Sequence, residues 1–158
     1  MSAFEPWNEV RANAIIAAEV GRDGATMPIL HALQEVFGHI PRQAIPMIAS
    51  ALNLSRAEVY GVVGFYHDFR DAPAGDHIVK LCQAESCQSM GGEALGEFAR
   101  ETLRVDWGGT TLDGSVTLEP VYCLGLCACS PNAMIDGKVH GRLDRHRLGA
   151  LLDQVKRA

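Results

Sequence analysis

The sequence predicts an α+β fold in two segments: an N-terminal four-helix bundle over residues 1–70 and a short mixed sheet with two helices over 77–158, joined by a linker at 71–76. Three observations carry this expectation. Apolar residues recur at helical spacing through the first segment. In the second segment, a pair of stretches alternates apolar with polar and is rich in β-branched residues. Between them, Asp71 to Asp76 is short and polar and holds Pro73 and Gly75 close together, the composition of a break between folded segments.

The first helix is expected to begin at Pro6, to bury Trp7, Val10, Ala14 and Ala17, and to stop at Gly21. Residues 22–25 read as a turn. Thr26 is placed to cap a second helix with Pro28 in its first turn. Ile29, Leu30, Leu33, Val36 and Phe37 then share a face, and Gly38 closes it. A third helix from about 43 to 52 buries Ile45, Ile48, Ala49 and Leu52. Pro46 falls in its first turn, where a missing N–H does no harm. Ser55 and Glu58 have the spacing of a capping box and open a fourth helix carrying Val59, Val62, Val63 and Tyr66. Gly61 and Gly64 share a face that a partner can approach closely. No ligand cluster occurs in this segment, so its expected work is packing or partner docking.

The second segment opens with His77 to Leu81, an alternating strand that runs into Cys82. Gly91 and Gly92 open a helix with Leu95, Phe98, Ala99 and Thr102 on one face. A polar stretch with Gly108, Gly109 and Gly114 follows, and Ser115 to Val121 reads as a strand leading to Cys123. Met134-Ile135 and Lys138 to His140 flank Asp136-Gly137, the strongest short hairpin signal in the chain. A last helix over about 144–156 buries Leu148, Leu151, Leu152 and Val155, and its basic end suits the helix dipole. The order β-α-β-β-α is that of thioredoxin-like domains.

Composition narrows the function. The hydrophobic share of 47% and charged share of 21% are ordinary for a folded soluble protein, and 158 residues suit one domain with an extension. A net charge of −5 disfavours non-specific nucleic-acid binding. The start lacks a basic segment followed by an apolar core, so no secretory signal is expected, and no apolar run reaches the roughly eighteen residues of a membrane span. A cytoplasmic, reducing setting follows, in which five patterned cysteines read as metal ligands or reactive thiols before disulfides. Neither glycine pair matches a dinucleotide fingerprint or a P-loop, and no nucleophile–base pair is present. The chain is therefore expected to bind neither NAD nor flavin by itself and to have no substrate site of its own.

The cysteines carry the chemistry. Cys82 and Cys87 form C-x4-C, thirty-five residues follow, and Cys123 and Cys127 form C-x3-C. Both pairs follow predicted strands, and strands that end on the same side of one sheet bring their loops together. Four thiolates make a soft site suited to an iron–sulfur cluster or zinc. Zinc usually takes C-x2-C knuckles, whereas the wider loops here suit a larger inorganic core. Two pairs on two loops fit a [2Fe-2S] core with one pair per iron, although four cysteines can also hold a [4Fe-4S] cluster. Gly91, Gly92 and Gly125 are placed to let backbone N–H groups approach the sulfurs. A lone cysteine is most often core packing, but two close pairs after two strands are a pattern. The redox-dithiol alternative needs C-x-x-C, which is absent. Cys129 offers an alternative to Cys127 or is a buried bystander. The six histidines form no spaced pair; His140 is the one placed to approach the site. Trp7 and Trp107 read as core or interface anchors, and Phe65, Tyr66 and Phe69 as core or as a docking surface.

These motifs resemble a known family, the thioredoxin-like [2Fe-2S] subunits of NADH dehydrogenases (the 24 kDa subunit of complex I) and of NAD-reducing hydrogenases and formate dehydrogenases. The resemblance runs through Leu33 to Glu35, Phe37 to Pro41, Val59 to Tyr66, both cysteine pairs and Gly91-Gly92. It implies a [2Fe-2S] cluster on Cys82, Cys87, Cys123 and Cys127, and a helical segment that embraces an FMN- and NAD-binding partner chain. Residues 82–91 and 127–131 are most similar to the gamma subunit of soluble, molybdenum-containing, NAD-dependent formate dehydrogenases. That narrower resemblance implies a molybdenum-containing catalytic subunit in the same complex, with formate oxidised there and NAD+ reduced at FMN. Subunits of an NADH:quinone oxidoreductase or an NAD-reducing hydrogenase are the alternatives within the family. A zinc-binding structural adaptor and a free-standing ferredoxin are the alternatives outside it.

Overall fold

The computed structural model describes residues 4–157. The chain divides between Pro73 and Ala74 into two compact units.

The first unit holds α1 (Glu9–Glu19), α2 (Thr26–Phe37), α3 (Ala44–Leu52) and α4 (Arg56–Phe65) around one apolar core. Most of that core is aliphatic, and α2 supplies its largest fully buried residues, Ile29, Leu30, Leu33 and Phe37. Each such side chain contributes about 1.5–3 kcal/mol of burial. Local signals set several ends. The Gly38 backbone is left-handed (φ 75°) and closes α2. Pro46 is the third residue of α3, and Asn53, also left-handed, ends that helix. Both capping-box bonds of α4 form: the Ser55 N–H donates to Glu58 Oε2 (2.8 Å) and the Glu58 N–H to Ser55 Oγ (3.2 Å). Beyond α4, the Gln34 amide straps the chain back onto α2. Its nitrogen donates to the Asp68 carbonyl (2.7 Å) and its oxygen accepts the Arg70 N–H (2.8 Å).

Three expectations need correction here. The apolar face of α1 is Ala12, Ile15 and Ile16, while Val10, Ala14 and Ala17 are exposed. Two adjacent isoleucines offer more area to the core than a stripe of alanines, and they decide which way the helix turns. Thr26 lies inside α2, with Ala25 at its cap position and no side-chain capping bond. Tyr66 lies just past the end of α4, at its cap position, and is 44% exposed, with its ring against those of Phe65 and Phe69.

The second unit holds β1 (His77–Cys82), α5 (Glu85–Ser89), α6 (Gly92–Leu103), β2 (Val116–Val121), β3 (Ala133–Ile135), β4 (Lys138–His140) and α7 (Arg145–Arg157). The sheet order is β2-β1-β3-β4. β1 and β2 run parallel, with Cys82 opposite Val121, and α6 lies within the long crossover that parallel neighbours require. β3 is antiparallel to β1 and to β4. Asp136 (φ 49°) and Gly137 (φ 80°) form the two-residue turn between β3 and β4, the left-handed pair typical of a tight hairpin. Val79, Leu81, Val116 and Leu118 from the strands pack with Leu95, Ala99 and Leu103 of α6 and Leu148, Leu152 and Val155 of α7. Leu103 takes the place expected for Thr102 on the buried face of α6. The Asp144 carboxylate caps α7 by accepting the Arg147 N–H (2.7 Å). Among the described residues no helix is long and apolar enough to cross a membrane.

Candidate metal centre

Parallel pairing builds the site. Because Cys82 stands opposite Val121, β1 and β2 end at the same edge of the sheet. Cys82 is the last residue of β1, and Cys123 lies two residues past the end of β2. Two further bonds extend the ladder at that edge: the Gln83 N–H donates to the Val121 carbonyl (2.8 Å) and the Cys82 N–H to the Asn132 carbonyl (3.0 Å). The spacer between Cys82 and Cys87 is helical, not a plain loop, and α5 turns Cys87 inward. Both thiols are buried, at 3% and 1% exposure. Gly92 is what lets α6 start against this turn, since a Cβ there would stand 2.6 Å from the Cys87 carbonyl oxygen.

The second pair is built differently. Cys123 (φ 96°) and Gly125 (φ 76°) are both left-handed, and Cys127 opens a short 3-10 turn over Cys127–Cys129. The Gly125 N–H donates to Cys123 Sγ at 3.3 Å, and the Cys123 and Cys127 sulfurs are 3.8 Å apart. Both residues are exposed.

The thiols act on one another. Burial pushes the Cys82 thiol up, but backbone N–H groups at Ala84, Cys123 and Leu124 and the Cys87 side chain outweigh it and hold Cys82 below the ordinary thiol value. Burial raises the Cys87 thiol, with help from Cys82 and against the Ser130 hydroxyl and the Asn132 backbone. Cys127 is raised mainly by its bond to Cys123 and by the Cys123 charge, with smaller contributions from Cys87 and Cys82. Cys82 and Cys87 thus act on each other and both act on Cys127, and ionising the thiols together calls for a positive centre among them. Among the described residues no three His, Cys, Asp or Glu side chains are gathered as one metal ion would need; the thiols stand as two pairs. Metal–sulfur bonds of about 2.3 Å at tetrahedral angles place two sulfurs about 3.8 Å apart, the separation of Cys123 and Cys127. The donor set fits a two-metal core with one pair on each metal.

The other sequence candidates fall outside this set. Cys129 is half-buried against Gly141 and is not among the groups acting on Cys82, Cys87 or Cys127. His140 lies on β4, separated from β1 by β3; burial lowers its pKa first, then the charges of Lys138 and Arg147. The Gly91 N–H bonds the Gln88 carbonyl (3.0 Å), not a sulfur. Trp7 packs on Phe37 with ring centroids 5.3 Å apart, and Trp107 packs against Gly96. The aromatic run divides: Phe69 is buried, Phe65 and Tyr66 are exposed. Sequence reasoning missed Ser130 and Asn132, whose side chains lie against the Cys87 sulfur. Ser130 Oγ lies 3.6 Å from that sulfur, and so does Asn132 Nδ2, which also donates to the Leu126 carbonyl (2.8 Å). The available signal was polar residues shortly after the second cysteine pair.

Residues 12–156 match the thioredoxin-like [2Fe-2S] ferredoxin family. The chain belongs to that family. The family carries a [2Fe-2S] cluster, and the mixed sheet with its helices is the family's fold. An NADH-quinone oxidoreductase subunit of Rhizobium meliloti is 38% identical over 137 residues, which is 87% of this chain and 82% of that protein. The NADP-reducing hydrogenase subunit HndA of Solidesulfovibrio fructosivorans is 32% identical over 122 residues, 77% of this chain and 71% of that protein. The crystal structure of an NAD+-reducing [NiFe]-hydrogenase in the H2-reduced state aligns with 80% of this chain at a TM-score of 0.68 and 25% identity. This chain spans 22% of that hydrogenase chain. Its relatives are thus subunits of oxidoreductases.

Proposed function

We propose that this chain is the [2Fe-2S] electron-transfer subunit of an NAD-linked oxidoreductase complex, with Cys82, Cys87, Cys123 and Cys127 as the cluster ligands. The observation that carries the reading is the meeting of two thiol pairs at one sheet edge. The bound cluster supplies a one-electron couple. Cys82 and Cys87, fixed by the strand end and α5, hold one side of it inside the unit and away from water. Cys123 and Cys127 hold the other side at the surface, where a partner's redox group can come near. The Gly125 N–H donates to the Cys123 sulfur at the rim of the site. Cys129 is a bystander in this reading.

The partner is an FMN- and NAD-binding chain. The first unit docks on it through α4, whose Gly61 and Gly64 stand open to close approach and whose Tyr60 and Phe65 are 61% and 73% exposed. Within the family, the parent complex is a molybdenum-containing, NAD-dependent formate dehydrogenase in the cytoplasm. Support for that choice is the resemblance of residues 82–91 and 127–131, against which stand the relatives named for NADH-quinone oxidoreductase and hydrogenase. The five unpaired thiols suit a reducing compartment.

Anaerobic purification with visible and EPR spectra, iron and acid-labile sulfide tests the cluster reading. A red-brown protein with equal iron and sulfide, EPR-silent until reduced by one electron, is the expected result. A colourless protein holding zinc would make the chain a structural adaptor. Co-purification with a flavoprotein whose complex reduces NAD+ with formate identifies the parent; reduction by H2 or quinone-linked NADH oxidation instead moves it to a relative's complex.

A further inference from the structure

We propose that the Ser86–Ser130 hydroxyl pair raises the reduction potential of the cluster by turning a proton toward the Cys87 sulfur; this rests on the reading of Cys87 as a ligand. The two hydroxyls lie where the cysteine loops meet. Ser130 Oγ is 2.8 Å from Ser86 Oγ, 2.8 Å from the Cys127 carbonyl oxygen and 3.6 Å from Cys87 Sγ, a reach that the larger sulfur atom tolerates. Ser86 Oγ is 3.2 Å from the same Cys127 carbonyl. Each hydroxyl owns one proton, so two arrangements compete. In the first, Ser130 donates to the Cys127 carbonyl and Ser86 donates to Ser130; the sulfur receives no hydroxyl proton. In the second, Ser86 donates to the carbonyl and Ser130 donates to the sulfur. The Cys127 carbonyl accepts one hydroxyl proton in both, so the exchange leaves no acceptor without its bond.

Charge on the sulfur decides between them. Cys87 is 1% exposed, so bulk water is a poor substitute donor. The other donors aimed at it are the backbone and side chain of Asn132. A reduced cluster would leave more negative charge on its ligand sulfurs, and that charge would favour the second arrangement, with the Ser130 hydroxyl turned to Cys87. No bond to hydrogen breaks; the proton stays on Ser130 and only its direction changes. A hydrogen bond that is stronger in the reduced form favours that form and raises the potential. Ser130 is a positioning residue that acts through Cys87, and Ser86 acts through Ser130.

The test uses the full chain with its cluster reconstituted anaerobically, titrated with dithionite and followed by EPR. Ser130→Ala is expected to keep full iron and sulfide but to lower the ratio of reduced to oxidised cluster about tenfold at a fixed poise, a shift of about 59 mV for one electron. Ser86→Ala shifts the midpoint the same way by less, because Ser130 keeps its proton but must divide it between the Cys127 carbonyl and the sulfur. Ser130→Thr restores it. An intact cluster at the parent midpoint in Ser130→Ala overturns the proposal. If that variant loses its cluster, Ser86→Ala decides, and a parent midpoint there overturns the proposal equally. Failure of the unaltered chain to bind iron would instead overturn the ligand reading beneath it.

Discussion

Cys82 and Cys87 sit on a strand end and a helical turn and are almost wholly buried, whereas Cys123 and Cys127 sit on a loop with two left-handed residues and are exposed. The difference has a physical source. The first pair is placed by the sheet: Val79 stands opposite Leu118 and Leu81 opposite Ala133, all buried, so the edge at Cys82 inherits the rigidity of the core. The second pair is placed by backbone conformation and a few hydrogen bonds, among them Asn132 Nδ2 to the Leu126 carbonyl. One side of the site is therefore a wall built by packing, and the other a lip held by local geometry. An electron carrier needs both: a wall to exclude water and a lip to meet a partner.

The largest test of this contrast removes one thiol from the wall. Cys82→Ala is expected to abolish the visible and EPR signals entirely, while Cys129→Ala keeps both; a surviving iron signal in Cys82→Ala would break the ligand assignment. Weakening the core beneath the wall comes next. Leu118→Ala, at a fully buried position, should destabilise the metal-free chain by about 2–5 kcal/mol in urea unfolding. It should also open Cys82 and Cys87 to alkylation and leave the reactivity of Cys123 and Cys127 as it was. Equal protection in both proteins would mean that the core does not place the wall.

Glycine substitutions sharpen the contrast at smaller cost. At Gly92 the obstacle is space, 2.6 Å to the Cys87 carbonyl, so Gly92→Ala should cost about 1–3 kcal/mol and disturb the cluster's EPR line shape. At Gly125 nothing stands within 4 Å of a Cβ, and the obstacle is φ of 76°. Gly125→Ala should cost about 1–2 kcal/mol through backbone strain alone. If the two variants behave alike, the wall and the lip are not held differently. The smallest expected effect is a displaced titration at the lip. The thiolate is the reactive form, and Cys127 is raised by Cys123, so less thiolate exists at a given pH. Alkylation of Cys127 in the metal-free chain should therefore rise only above the ordinary thiol range. Cys123→Ser should bring that rise back to lower pH, which site-resolved mass spectrometry can follow.

Legibility in the sequence followed the range of the interaction. The Ser55–Glu58 capping box, the Asp136-Gly137 turn and the Gly38 helix stop were readable because each is settled within a few residues. The face of α1 was not, because Ala12, Ile15 and Ile16 win only by what the other helices offer them. The helical spacer α5 was missed because five residues are too few to show a period. The meeting of the Ser86 and Ser130 hydroxyls was missed because forty-four positions separate them in the chain while 2.8 Å separates them in space.

By itself the sequence determined the kinds of atoms available, two close pairs of soft thiols, and the strands after which each pair would come. Tertiary structure decided where those atoms went. The parallel register of β1 and β2 put both strand ends at one edge, packing buried one thiol pair, and left-handed backbone lifted the other to the surface. Spacing along a chain limits which ligands can meet, but only long-range pairing and burial choose which of them face water and which are sealed from it.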